Sequence, residues 1–416
     1  MPLKHYYVKI IQMQLLTTIL VLLIGARLLG QLMVRLKQPA LVGEIFAGII
    51  LGPAVLKWIT PNPALEGISE LSVFLIVVAA GFEMEMGEVV KSIKGRGFVA
   101  AMLGFLIPLA GGLALGTATG LDAIRTFFLG LCMSITALPV TIQILSSFNL
   151  LQSRIANFSI ATSILNDILG LLCLGIILDQ QELPSSGGLV PLIISVFKTS
   201  LKLSVFAVLV FITNRLIQWG THKTKYIEQA IQKLEDVFGP EAIFGTAIIF
   251  VLFFGSISET LGSHFIIGAF FGALLLSHDV FGTSVFSGLQ NTVTSLTSGF
   301  LGPVFFAYIG LSFSIHAFSH PLMILGVLLV SVFTKLLGGY LGGKLLKMSN
   351  LEALGSGIIL NGRGIMELVV ANIAHQRKLI DQDLYSTLII MGIVTTVMTP
   401  LLFAKTNLGS TLRPRV

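Results

Sequence analysis

About thirteen stretches of the chain are apolar over the roughly 17–25 residues that a helix needs to cross a bilayer. They run over 14–36, 41–57, 67–86, 97–119, 125–147, 155–178, 190–217, 241–259, 262–278, 286–315, 321–345, 353–375 and 384–404. In hydrocarbon every backbone amide and carbonyl must be satisfied internally, so segments of this kind are helices. Composition supports the same class. Hydrophobic residues make up 54% of the 416 and charged residues 11%, against roughly 25% charged in a soluble domain; mean hydropathy is +0.93. The chain reads as an all-α polytopic membrane protein, with the lipid bilayer as a partner and no room for a large soluble domain. The apolar stretch after Met13 is too long and too late for a cleaved leader, so it counts as a helix.

The net charge of +6 is no nucleic-acid signal, because its distribution follows membrane topology. With the N-terminus outside and the C-terminus cytoplasmic, about fifteen basic residues fall inside and about six outside, the expected bias. The inside set is Arg35, Lys37, Lys91, Lys94, Arg96, Arg154, Arg215, Lys223, Lys225, Lys233, Lys344, Lys347, Lys405, Arg413 and Arg415; the outside set is Lys4, Lys9, Lys57, Arg125, Arg377 and Lys378. The outside loop Asp179–Glu182 carries no basic residue. The polar connection 219–240 falls inside and reads as a surface helix acting as a linker.

Six spans precede the 190–217 span and six follow it, so that single span inverts the second half relative to the first. This is the inverted-repeat plan of many secondary transporters. The fifth span of the first half carries Ser134-Ile-Thr-Ala-Leu-Pro139; the fifth of the second half carries Leu360-Asn-Gly-Arg-Gly364. Both are helix-breaking and occupy corresponding places, the sequence signature of a binding site at the midplane. Two crossed broken helices leave bare carbonyls on one half-helix and bare amides on the other, and so call for charged side chains nearby.

Two residues answer that demand. Asp167, beside Asn166 in Ser163-Ile-Leu-Asn-Asp-Ile-Leu-Gly170, lies in the middle of the 155–178 span. A carboxylate there costs at least a few kcal/mol on insertion. That is tolerable if it faces a wet cavity, pairs with a cation or carries a proton. The bland alternative is an aspartate tied to backbone or to a lysine. Lys335 is central in the 321–345 span and is the matching cation; its bland alternative is snorkelling to the interface. Thr136 sits at the first break, where its oxygens could meet an ion, or its hydroxyl could bond back to its own helix. Arg363 and Glu367 are four apart, the spacing of an intrahelical pair. Ser134 and Asn361 flank the breaks, and Glu83 closes a span. Glu44 and Glu259 lie near span ends and read as structural. His264, His278, His316 and His320 show no metal-ligand spacing, and Cys132 and Cys173 form no disulfide framework. There is no Walker motif, so ATP is not the energy source, and no cofactor is implied.

These residues together resemble a family. Gln38-Pro-Ala-Leu-Val-Gly-Glu-Ile-Phe-Ala-Gly-Ile-Ile-Leu-Gly-Pro53, Ala80-Gly-Phe-Glu-Met-Glu-Met86, the Ser134–Val140 break, Asn166-Asp167 and Asn361-Gly-Arg-Gly-Ile-Met-Glu-Leu368 resemble the monovalent cation:proton antiporters. The likeness is to the second branch, which holds Kef-type potassium systems, bacterial sodium/proton exchangers and plant cation/proton exchangers. The resemblance implies a sodium/proton antiporter-like fold, a homodimer and an elevator-type core. It divides the chain into dimerisation-side helices at 1–96 and 241–320, core halves at 97–178 and 321–404, a linker at 179–240 and a tail at 405–416. It implies that Asp167 carries Na+ or K+ and H+, with Asn166, Thr136 and Ser163 close to it and Lys335 on the crossing side.

Two departures shape the expectation. Many electrogenic members have two adjacent aspartates where this chain has Asn166-Asp167, which suggests one proton per cation unless Lys335 itself sheds a proton and changes that count. Kef-type proteins carry a C-terminal nucleotide-binding domain, whereas this sequence ends at 416; that regulation is expected to be absent or supplied by a separate subunit. The expected function is an electroneutral monovalent cation:proton antiporter in a bacterial inner membrane. A gated cation channel is the alternative, although no carbonyl filter loop is visible. A membrane-embedded enzyme finds no nucleophile–base or metal motif to support it.

Overall fold

A computed structural model of the chain describes residues 15–84, 86–87, 95–148, 150–179, 189–222, 233, 237–261 and 264–405. Lys4, Lys9, Lys91, Lys94, Lys223, Lys225, Arg413 and Arg415, most of the 219–240 linker, and the tail after Lys405 lie outside the described residues. Among the described residues the chain is all helix. The elements are α1 (Leu15–Arg35), α2 (Ala40–Leu51), α3 (Pro63–Phe82), α4 (Gly95–Ala118), α5 (Ala123–Ser134), α6 (Leu138–Ser147), α7 (Arg154–Asp179) and α8 (Leu189–His222). They continue with α9 (Pro240–Thr260), α10 (Phe265–Leu275), α11 (His278–Phe281), α12 (Thr283–Leu296), α13 (Gly302–Leu311), α14 (Pro321–Leu345), α15 (Asn350–Leu360), α16 (Ile365–Gln376) and α17 (Gln382–Lys405). Taking α5–α6, α12–α13 and α15–α16 as single interrupted spans, eleven are long and apolar enough to cross a membrane; α2 and α10 are shorter apolar helices in the two remaining places.

Local chemistry sets the helix ends. Asn62 Oδ1 accepts from the Leu65 amide at 3.0 Å, with Pro63 at the first helical position of α3. Asp122 Oδ1 accepts from the amides of Ile124 and Arg125 and so starts α5. Ser349 and Glu352 form a reciprocal capping box at α15. The long 286–315 span is interrupted. A wide π turn at Thr297–Leu301 separates α12 from α13, and Pro303 lies in the first turn beyond it. Proline has no N–H to offer the preceding turn, which favours a break in the α ladder there.

The two halves are built alike around α8. Each has a short second helix (α2, α10), a broken fifth span (α5–α6, α15–α16) and an unbroken last one (α7, α17). Packing follows the same symmetry. α1 packs on α2 as α9 does on α10, α4 on α5 as α14 on α15, and α2 on α13 as α10 on α3. α4 and α14 pack against each other across the two halves. Lipid gives helices no hydrophobic reason to associate, so close approach through small residues matters. A Cβ on Gly48 would fall 1.8 Å from the Ala307 carbonyl oxygen, and one on Gly310 would fall 2.1 Å from that of Ile45. Only glycine lets α2 and α13 cross at that distance.

Candidate ion-binding site

The two breaks meet. Residues Ile135–Ala137 are extended between α5 and α6, and Asn361–Gly364 separate α15 from α16. The Ala137 amide donates to the Gly362 carbonyl at 3.1 Å, and the Thr136 hydroxyl donates to the Leu360 carbonyl at 3.0 Å. The interrupted segments therefore hold each other. Backbone groups that two unbroken helices would have paired internally are satisfied across the crossing.

The cations go to the carbonyl end of α5. Lys335 Nζ donates to Thr136 Oγ1 at 2.7 Å, to the Gly104 carbonyl at 3.2 Å and to the Ser134 carbonyl. An ammonium has three N–H donors, and here each has an acceptor. Lys335 makes no ion pair with Asp167 among the described residues. Arg363 donates to the carbonyls of Cys132 and of Met133, the latter at 2.8 Å, and lies 3.6 Å from Glu367 Oε2. Both cations are fully buried and sit where the α5 dipole leaves partial negative charge. Glu367 is in the first turn of α16, where an acidic group suits the amide end.

Asp167 lies on the other side of the crossing. It is 2% exposed, and its Oδ1 has no hydrogen-bond partner among the described residues. It lines a cavity of about 140 Å³ with Ala137, Leu138 and Pro139 at the start of α6 and Ile365 and Met366 at the start of α16. The opposite wall comes from Ile76, Ala79, Ala80, Glu83 and Met84 at the end of α3, and from Thr294, Thr297 and Ser298 at the π turn. Glu83 is exposed and shares this cavity.

Asn166 points the other way and joins the scaffold, with Nδ2 donating to Thr136 Oγ1 at 3.1 Å. The Thr136 hydroxyl thus accepts from Lys335 and Asn166 while donating to Leu360. Those three partners occupy its hydrogen-bonding capacity, so ligating an ion here would require it to give one of them up. Ser163 shares a 3.3 Å hydrogen bond with Thr141. Ser134 Oγ bonds back to the Gly130 carbonyl at 2.8 Å. Asn361 is buried with both amide atoms unpartnered among the described residues. The structure brings Asp167 and Glu83 to one cavity, and gathers Asn166, Thr136, Ser134, Lys335, Arg363 and Glu367 on and around the crossing. Glu44, expected near a span end, is 5% exposed inside α2. Sequence reasoning passed over Thr294, Thr297 and Ser298, whose place depends on the π turn.

Two interrupted helices meet at corresponding places in the two halves, with Asp167 and Glu83 lining a cavity beside the amide ends of α6 and α16, an arrangement found in many secondary transporters. Residues 17–404 match the family model described as sodium/hydrogen exchanger, transmembrane, and the chain belongs to that family. It is 29% identical to a Na+/H+ antiporter of Enterococcus hirae over 88% of this chain and 91% of that protein. It is 28% identical to the Na+/H+-K+ antiporter GerN of Bacillus cereus over 92% and 93%. Cation/H+ antiporter 15 of Arabidopsis thaliana matches at 29% identity over 88% of this chain, which spans 45% of that longer protein. Among solved structures, the sodium proton antiporter MjNhaP1 of Methanocaldococcus jannaschii superimposes with a TM-score of 0.66. That match covers 95% of this chain and 98% of the other at 19% identity, a likeness of fold.

Proposed function

We infer that the chain is a monovalent cation:proton antiporter in which proton and cation compete for Asp167. The observation that carries this reading is the Asp167 carboxyl itself, buried, with an unpartnered oxygen turned to a cavity at the helix crossing. A bare carboxylate is costly in that setting. It is relieved by a proton or by a cation, and each excludes the other. Both the Na+/H+ antiporter of Enterococcus hirae and GerN, by their names, exchange protons for such ions.

The rest of the site supports exchange rather than a static pair. Lys335 and Arg363 are held at the carbonyl end of α5, away from the Asp167 cavity. The cavity lies between α3 and the π turn on one side and α6, α7 and α16 on the other. Sliding of the 97–178 and 321–404 core halves past the remaining helices would carry Asp167 from one face to the other, an elevator motion. With the N-terminus outside, the Glu83 end of α3 is cytoplasmic, and the cavity belongs to an inward-facing state. α1 presents an exposed apolar row at Leu16, Leu20, Ile24, Leu28 and Leu32, which suits contact with a second copy in a homodimer.

Reconstituted vesicles loaded with a pH-reporting dye test the reading. Na+ or K+ added to the wild type should move protons, and Asp167→Asn should abolish that movement while leaving a folded protein. Proton-coupled flux persisting in Asp167→Asn would remove Asp167 from the carrier role. Cation flux uncoupled from protons in the wild type would favour a channel.

A further inference from the structure

The geometry points to a surface site for one transition-metal dication, zinc by ligand type, formed by His316, His320 and Asp383. The three residues offer one ligand atom each, and these atoms all lie within 4.8 Å of one another. His316 and His320 stand four apart across the 3-10 turn Ile315–Ser319, with ring centroids 6.0 Å apart. Asp383 comes from the first turn of α17, 67 residues beyond His316 in the chain. The His316-x3-His320 step is a metal-ligand spacing after all, contrary to the sequence expectation, and the third ligand comes only from tertiary contact.

Two imidazoles and a carboxylate are the donor set of open zinc sites, with water completing the tetrahedron. Such an ion holds its ligands at about 2.0–2.2 Å, so ligand atoms on it sit roughly 3.3 Å from one another. His316 Nδ1 is already 3.0 and 3.2 Å from the two Asp383 oxygens. Only the His320 ring has to swing inward, and an exposed side chain does that freely.

The backbone beneath is fixed before any ion arrives. The Ser314 amide donates to Ser386 Oγ at 3.0 Å, and Gln382 Nε2 donates to the Ser312 carbonyl. Ser314 Oγ accepts from the His316 amide at 3.2 Å, and Ser319 Oγ donates to the His316 carbonyl at 2.6 Å. These bonds lock the 3-10 turn to the start of α17, so little ordering remains to oppose binding. The same turn connects α13 to α14, and a bound ion would staple that connection onto α17.

The test is calorimetric titration of Zn2+ into the purified full-length protein with any affinity tag removed, with Mg2+ as the comparison cation. Mg2+ prefers all-oxygen coordination and should give no heat at this site. The wild type should bind one Zn2+ per chain and unfold at a higher temperature with zinc present. Loss of an outer contact costs metal sites 10–100-fold in affinity, so Asp383→Asn should weaken binding at least tenfold. His316→Ala with His320→Ala should abolish both the heat and the thermal shift. Asp167→Asn should bind zinc as the wild type does, which separates this result from the transport reading. Absence of zinc binding in the wild type, or unchanged affinity in the double histidine variant, overturns the site.

Discussion

Thr136 is the residue whose loss the structure prices most directly. Its hydroxyl ties the α5–α6 break to three other elements: α14 through Lys335 at 2.7 Å, α7 through Asn166 at 3.1 Å and α15 through the Leu360 carbonyl at 3.0 Å. Thr136→Val keeps the shape and removes all three bonds. Measured interhelical hydrogen bonds in a membrane protein average about 0.6 kcal/mol and reach about 1.7. The bond from the buried ammonium belongs at the upper end, because it is charge-assisted. The variant should therefore lose about 3 kcal/mol. Thr136→Ser keeps the hydroxyl and deletes one buried methyl, at about 1 kcal/mol. Reversible unfolding in mixed micelles, followed by far-UV circular dichroism, reads both numbers. Vesicle exchange should fall steeply in the valine variant and survive in the serine one. Valine unfolding at the wild-type midpoint, or serine falling as far as valine, would refute the hub.

Three further outcomes follow from the geometry. If one proton competes with one cation at Asp167, the logarithm of the apparent KM for cation should fall by one per pH unit across the acid limb; a slope of two means a second exchanging group. Exchange should not respond to a clamped potential if Lys335 keeps its proton throughout, the state that its three acceptors favour. A rate that tracks the potential, worth about 2.3 kcal/mol per charge per 100 mV, would show net charge moving. Gly48→Leu should fail to yield folded protein by size-exclusion chromatography, since even a Cβ at that place would collide with the Ala307 carbonyl; a monodisperse, active variant would contradict the crossing.

Much of this was legible in the sequence for simple reasons. Hydrophobic length marked the spans, Pro139 and the Gly362–Gly364 pair marked the breaks, and a mid-span charge marked Asp167 and Lys335. What such reasoning missed was direction. Lys335 reaches the Ser134 carbonyl across 201 residues of chain, and Arg363 reaches Cys132 across 231. The four-residue spacing gave the Arg363–Glu367 pair and nothing of the α5 cap that the same guanidinium forms. In the sequence Glu83 only closes a span, and the packing of α3 brings it to the Asp167 cavity. The π turn and the Asp383 side of the histidine pair are likewise products of tertiary contact.

The charge layout has a consequence for exchange. Had either cation been placed in the Asp167 cavity, it would satisfy the carboxyl permanently, and an incoming ion would have to displace a tethered competitor. Instead both donate to backbone carbonyls at the end of α5, where they offset its dipole, and neither lines the Asp167 cavity. Asp167 is left with the amide ends of α6 and α16 beside it. Those ends carry partial positive charge and oppose a bound cation. An ion there would meet the buried Asp167 carboxylate, with Glu83 in the same cavity, against a weakly repulsive background from the helix ends. Transport needs binding strong enough to admit the ion and weak enough to release it. In this site the opposition comes from fixed helix ends and not from a side chain that must move. On the proposed exchange at Asp167, the carboxyl would trade proton for cation without rearranging the buried network that holds the two breaks together.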